Sequence, residues 1–190
     1  MSLLKKLITS GATFAIAIPL LSACASKSVP DTHFYLLDPS PQKLSNVYRE
    51  KLVEVSKIRL PKYLKNNQLM MLGAHNKLIP ANYHKWADEF GPSIRRVLIA
   101  HLELASYTTS YTDACDQCDA LNITIEHFYP TEDGRLILSG NYELETIDGI
   151  SLRKRFAYEE TLPKAGYAQA VKEMNALVKQ LAMEIEKNLS

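Results

Sequence analysis

The sequence predicts a single-domain α+β fold in which two helices pack on one face of a mixed, mostly antiparallel sheet. Three observations carry that prediction. Residues 120–160 alternate apolar and polar side chains in three runs separated by turn sequences. Two stretches, one near residues 92–105 and one from Tyr167 to Asn188, repeat apolar residues at spacings of three and four. The order of elements reads β-β-β-α-β-β-β-α, so each helix covers a sheet with its apolar stripe.

In chain order, Thr32–Leu37 is a short β-type run closed by Asp38-Pro39, and a polar, Pro-containing connection follows to about Arg49. Lys51–Leu60 alternates imperfectly. Val53 and Val55 fall on one side and Ile58 and Leu60 on the other, which requires a bulge near Ser56. Pro61 stops this strand. Gln68–Leu72 and Lys77–Pro80 read as short strands around the turn Gly73-Ala74-His75-Asn76. The first helix begins near Trp86 or Pro92, and Ile94, Val97, Leu98, His101, Leu102 and Ala105 form its inner face. Pro92 suits a first turn, where its missing N–H has no helical partner to lose. Leu121, Ile123 and Ile125 then alternate with Asn122, Thr124 and Glu126, and Thr131-Glu132-Asp133-Gly134 turns the chain. Leu136, Leu138, Tyr142 and Leu144 share an inner face, while Ser139, Asn141, Glu143 and Glu145 point outward. Asp148-Gly149 tolerates the positive φ of a tight hairpin loop, and Ile150, Leu152, Phe156 and Tyr158 mark the return strand. The expected product is an antiparallel meander, dry on one face and wet on the other. Val171, Met174, Leu177, Val178, Leu181, Ile185 and Leu189 make a continuous stripe on the last helix, a pattern of core packing.

The 190 residues carry 22 basic and 21 acidic side chains and are 46% apolar. This is too apolar and too nearly neutral for a disordered tail, and it lacks the basic excess of a nucleic-acid binder. One long uncharged stretch lies at the extreme N-terminus, which excludes a polytopic membrane protein. Residues 1–23 read as a targeting segment: Lys5 and Lys6 precede the uncharged run Leu7–Leu21, which ends in Ser22-Ala23. Gly11 and Pro19 within it suit a cleaved signal better than a permanent span. Removing the segment takes away two lysines and no acid, leaving 20 basic against 21 acidic side chains, net −1. A chain of that length buries roughly 70% of its unfolded surface, enough for a core without staples.

Leu21-Ser22-Ala23-Cys24 has the form of a lipobox, an aliphatic residue and two small residues before cysteine. The peptidase needs small side chains beside the cut, and the Cys24 thiol is the nucleophile that takes a diacylglyceryl group. The freed amine takes a further acyl chain, of the palmitoyl type. Each buried methylene contributes about 0.8 kcal/mol and one chain holds only marginally, so two or three chains anchor firmly. Ala25 and Ser26, rather than Asp, follow the cysteine. The expected address is therefore the outer membrane, with the body in the periplasm. Residues 24–31 form a short tether and residues 32–190 the folded domain.

Three thiols less the lipidated one leave Cys115 and Cys118, spaced C-x-x-C in an oxidising compartment. A redox pair belongs at a helix N-terminus, whereas this motif leads into the alternating run Leu121–Ile125. A zinc site needs two further ligands at metal spacing, and none is evident. A structural disulfide is the expectation. His33, His75, His84, His101 and His127 form no H-x-x-x-H or H-E-x-x-H pattern, and no G-x-S-x-G, P-loop or G-x-G-x-x-G occurs. Glu143/Glu145 and Glu159/Glu160 read as solvated strand positions. No enzyme activity, metal or cofactor is expected. Arg153-Lys154-Arg155 alternates on a strand, solvated by default, with a headgroup or partner contact as the alternative.

With lipobox, tether and element order in place, further local motifs stand out. They are Phe34-Tyr35-Leu36-Leu37, Val53-Glu54-Val55 followed by Ile58-Arg59-Leu60-Pro61-Lys62-Tyr63-Leu64, and Trp86-Ala87-Asp88 before the first helix. Leu121–Phe128 and Leu138-Ser139-Gly140-Asn141-Tyr142 follow late in the chain. In this order the chain resembles the ABC-type transport auxiliary lipoproteins, and among them the PqiC (YmbA) family. The resemblance implies a non-catalytic, outer-membrane-anchored subunit of an MCE-type lipid transport system that docks a PqiB-like MCE-domain partner, and it is compatible with copies assembling into a ring. It marks Tyr35, Leu60, Pro61, Tyr63 and Trp86 as positions that either maintain the fold or contact the partner. Two other readings stay open: an outer-membrane assembly lipoprotein resembling the LptE-type plug, which binds a β-barrel, and a periplasmic disulfide enzyme using Cys115 and Cys118.

Overall fold

The computed structural model describes residues 29–37, 52–104, 108–109 and 117–189. The expectations for the lipobox, Cys24, Ala105 and Cys115 lie outside these residues. The described strands are β1 (His33–Tyr35), β2 (Leu52–Arg59), β3 (Gln68–Leu72), β4 (Leu78–Trp86), β5 (Thr108–Thr109), β6 (Asp119–Pro130), β7 (Arg135–Glu145) and β8 (Ser151–Thr161). The helices are α1 (Phe90–Leu104) and α2 (Tyr167–Leu189). The class is α+β, as the sequence predicts.

The strands divide between two sheets rather than forming one, in the orders β1-β4-β3 and β5-β2-β6-β7-β8. The cause lies just after β2. Pro61 ends that strand, and a 3-10 turn at Lys62–Lys65 redirects the chain before the β3–β4 hairpin forms. That hairpin pairs with β1, which runs parallel to the second half of β4 with His33 beside His84 and Tyr35 beside Trp86. The two sheets are stitched at one corner, where Leu72 bridges Thr131 and the Glu132 N–H donates to the Leu72 carbonyl at 2.8 Å. Two boundaries differ from expectation. Pro80 does not end β4, because among the described residues β1 pairs only with residues 84–86 and no strand lies on that side at Pro80. Trp86 therefore closes a strand, and α1 starts at Phe90 with Pro92 inside its first turn.

The larger sheet follows the alternation closely. β6–β7–β8 is an antiparallel meander, and β2 joins it in parallel alongside β6. The register slips between Val55 and Lys57, so the bulge falls at Ser56 and brings Ile58 beside Ile123 on the buried face. Arg95 of α1 donates to the Ser56 carbonyl at 2.7 Å, a partner for an acceptor displaced from the ladder. A second bulge lies between Ile125 and His127. The inward row comprises Val53, Val55, Leu121, Ile123, Ile125, Leu136, Leu138, Tyr142, Leu144 and Phe156. It forms one core with the stripes of α1 and α2. Every stripe residue named for α2 is buried, and Ile94, Val97, Leu98 and Leu102 of α1 are as well. His101 is a packing residue, with Nε2 3.6 Å from the Glu186 carboxylate of α2.

The outward face is polar and internally paired. Arg153 meets Glu143 at 3.1 Å, Arg155 meets Glu126 at 3.2 Å, and Arg135 meets Glu159 at 2.9 Å. Lys154 points to the opposite face and bonds Asn188 of α2. The Arg153-Lys154-Arg155 run is thus a solvated strand whose cations have partners inside the fold. Hydrogen bonds from Arg153 and Ser151 hold the Glu143 carboxyl below the usual carboxylate range.

Candidate functional site

The five family-matching positions come from three segments, and the fold gathers them around the start of α1. Trp86 ends β4, and its ring lies 4.6 Å from that of Phe90, the first residue of the helix. Phe90 in turn lies 5.4 Å from Phe128 on β6. The Phe128 N–H donates to the Tyr63 hydroxyl at 3.0 Å. β2 runs beside β6 only as far as Thr124, so this hydroxyl serves a backbone donor beyond the end of the neighbouring strand. Burial pushes the Tyr63 phenol up to about 12. Pro61 starts the 3-10 turn that carries Tyr63, its carbonyl accepting from the Leu64 N–H at 3.1 Å. Leu60 packs toward Gly91, where an added Cβ would lie 3.4 Å from Leu60 Cδ1.

Tyr35 lies on the other side of this joint. Its carbonyl accepts from the Ala87 N–H at 2.8 Å, and its hydroxyl and His84 Nδ1 are 2.8 Å apart. His84 is stacked between His33, with ring centroids 5.2 Å apart, and Tyr167 at the start of α2, at 4.1 Å. Burial, reinforced by His33, lowers the His84 pKa, while burial and Tyr167 raise that of Tyr35. Tyr35, Leu60, Pro61 and Tyr63 are half-buried and present part of their surface. Trp86 is only 5% exposed, so its indole serves the core and offers no surface to a second molecule.

Below Leu60 lies an open cleft of about 660 Å³, with Ile58, Leu60, Leu64 and Phe90 among its apolar lining and Arg59, Lys65 and Glu89 among its charged lining. Among the described residues, no group of three or more His, Cys, Asp or Glu side chains is placed to hold a metal ion. No described helix is long and apolar enough to cross a membrane. Cys118 is buried and disulfide-bonded.

Residues that the sequence reading does not assign to the site complete the joint: Phe90 and Phe128 bridge Trp86 to Tyr63, and His84, stacked on Tyr167, meets the Tyr35 hydroxyl. Gly140 is also essential to the sheet. A Cβ there would lie 2.0 Å from the Thr124 carbonyl oxygen. An isolated glycine inside an alternating strand is a signal for such a close backbone approach.

Residues 35–186 match the profile of a family described as the ABC-type transport auxiliary lipoprotein component. The chain is similar to the intermembrane transport lipoprotein PqiC of Escherichia coli strain K12, 25% identical over 177 residues, which is 92% of this chain and 94% of that protein. The Shigella flexneri protein of the same name matches equally, at 25% over 177 residues. A solved structure of an uncharacterized protein superposes with a TM-score of 0.75 at 23% identity, covering 85% of this chain and 100% of that one. A protein from Xanthomonas campestris superposes at 0.62 with 12% identity, covering 80% of this chain and 92% of that one. These two likenesses show a shared fold, and the profile match spans the sheet, the joint and nearly all of both helices. The chain belongs to the family of ABC-type transport auxiliary lipoproteins.

Proposed function

We propose that this chain is a non-catalytic, outer-membrane-anchored subunit of an intermembrane lipid transport system, lipidated at Cys24, with its body in the periplasm. The observation that carries the reading is its similarity along 92% of its length to a lipoprotein named for intermembrane transport. The lipobox Leu21-Ser22-Ala23-Cys24 supports it from the sequence side. The body docks a PqiB-like MCE-domain partner, and copies of the chain assemble with one another into a ring. Tyr35, Leu60, Pro61 and Tyr63 are the proposed contact positions, with Trp86 holding them in place from below. Cys115 is the proposed partner of Cys118 in a structural disulfide.

The anchor is tested by feeding cells a labelled fatty acid. Wild type takes the label and fractionates with the outer membrane, while Cys24→Ser carries no label and is released from it. Docking is tested by mild-detergent pull-down of the acylated protein. Recovery of an MCE-domain protein supports the reading, and recovery of a β-barrel instead favours the LptE-like alternative. Recovery of neither refutes docking.

A further inference from the structure

The smaller sheet displays apolar side chains that the fold leaves uncovered. From His33 to Leu37 exposure follows the strand period. Tyr35 is half-buried and Leu37 is 1% exposed, whereas Phe34 and Leu36 are 63% and 51% exposed. The inward residues fix the outward ones: the rings of His33 and Tyr35 stack on His84, which stacks in turn on Tyr167 of α2. Phe34 and Leu36 are thus held in water on a framework that is already ordered. β1 is the edge of its sheet, so among the described residues no strand lies beyond it. On β4, Lys85 is the register partner of Phe34 and shares its face. Tyr83, two residues earlier on β4, is 37% exposed.

Charge sets this face apart. The strands β1, β3 and β4 carry Lys85 and two histidines and no carboxylate. Asp31 precedes β1, and Asp88, just past β4, is bound to Arg96 at 2.8 Å. The outward face of the larger sheet, by contrast, holds Glu126, Glu143 and Glu159. Ile147 and Ile150 at the β7–β8 hairpin are as exposed as Phe34, but residues 145–150 include Glu145 and Asp148 and no basic residue. An anionic lipid surface attracts the first face and repels the hairpin. Position separates them too. His84 stacks on the first residue of α2, while Asn188 near its last bonds the Tyr142 hydroxyl, on the strand that leads to the hairpin. The helix between them is roughly 35 Å long at about 1.5 Å per residue.

We propose that Phe34, Leu36 and Tyr83, with Lys85 at their margin, sit in the interfacial layer of the membrane that holds the anchor, so that the body lies against the lipid surface in one orientation. This rests on the reading above that Cys24 is lipidated. His33 follows Cys24 by nine residues, and a fully extended tether of that length keeps β1 within about 30 Å of the acyl chains. Contact with lipid is then intramolecular, at a high effective concentration. A patch too small to hold a free protein on a membrane is therefore enough to orient a tethered one. A lysine at the margin keeps its methylenes on the apolar side and its ammonium among the phosphates. The hairpin end of the larger sheet is left facing the periplasm.

The test uses the full-length acylated protein, held by its own acyl chains in vesicles of phosphatidylethanolamine with about a quarter phosphatidylglycerol, an anionic surface. Phe34→Trp adds a fluorescent reporter to buried Trp86, whose emission in the wild type is subtracted. Where the lipids carry bromine about 5–10 Å below the headgroups, the depth an interfacial apolar face reaches, the added emission falls by about half. Ile147→Trp, at the hairpin, is not quenched. Leu36→Ser with Lys85→Glu, placed in the Phe34→Trp chain, removes most of the quenching, while the melting temperature holds and the protein still floats with the vesicles. Protein that does not float overturns the anchor reading and this inference with it. Floating protein whose Phe34→Trp emission ignores bromine overturns this inference alone. If that unquenched emission is blue-shifted, a second copy or a protein partner covers the face instead of lipid. Equal quenching of Phe34→Trp and Ile147→Trp also overturns it, because the body then has no preferred face toward the membrane.

Discussion

Replacing Gly140 by alanine probes the closest backbone approach in the sheet. Gly140 sits mid-strand in β7 opposite Ile125, where the slip in β6 turns the Thr124 carbonyl toward it. The new Cβ would lie 2.0 Å from that oxygen and 2.9 Å from Phe156 Cζ, against 3.4–4 Å for ordinary contact. Relief requires β6 and β7 to separate by more than 1 Å, and both are paired on each side. Overpacking a core costs typically 1–3 kcal/mol where side chains can yield. Here the nearer obstacle is main chain, so Gly140→Ala costs about 3 kcal/mol or more, a large share of the roughly 5–15 kcal/mol that holds a domain together. At about 2–4 °C per kcal/mol for this size, the melting temperature falls by about 6–12 °C. Scanning calorimetry with a parallel urea titration measures it. Phe156→Leu in the same chain does not recover the loss, because it clears only the farther contact. A Gly140→Ala protein that melts within about 2 °C of wild type refutes the reasoning.

Three further outcomes follow from the same geometry. Tyr63→Phe keeps the ring but strands the Phe128 N–H, costing about 1–3 kcal/mol, and amide exchange at Phe128 speeds up while exchange at the β7–β8 pairs does not. Burial, first of all, pushes both Tyr63 and Tyr142 up to about 12, with Glu184 adding to the effect at Tyr142. Their folded values lie above the ordinary phenol value of about 10, so the stabilisation is fully present below pH 10 and drains away as pH rises from about 10 to 12. Melting followed across that range shows the decline, and Tyr63→Phe makes it shallower. Trp86→Ala removes a buried indole and costs about 3–5 kcal/mol, whereas Arg153→Ala, on the solvated face, leaves the melting temperature unchanged.

The meander and α2 are legible in the sequence because each is governed by one strong period. Leu136, Leu138, Tyr142 and Leu144 alternate without interruption, and the stripe from Val171 to Leu189 keeps helical spacing to the end of the 23-residue helix. The Ser56 bulge is legible for the same reason, since a break in alternation between Val55 and Ile58 has few other causes. The second sheet is not. β1 is three residues long and pairs with a strand some fifty residues away, and no local pattern encodes that partner. β4 is hidden by Pro80, which marks a strand end only when both edges are paired. In the joint, Tyr63 and Trp86 are visible as a tyrosine and a tryptophan in matching motifs, but their different exposures arise from how α1 docks. Ile150 reads as a residue of the return strand until the turn geometry puts it in solvent.

The way β1 is attached has a mechanical consequence. A load pulling on the chain ahead of His33 reaches the domain first through three residues laid parallel to the end of β4. Tension along that direction strains the rungs together instead of opening them in succession, and the stack of His33 on His84 resists the same sliding. Leu37, 1% exposed just behind β1, is the next point of resistance. A tug at the leading end therefore meets a short shear clamp backed by a buried plug, with the hairpin at residues 145–150 at the remote end of the larger sheet.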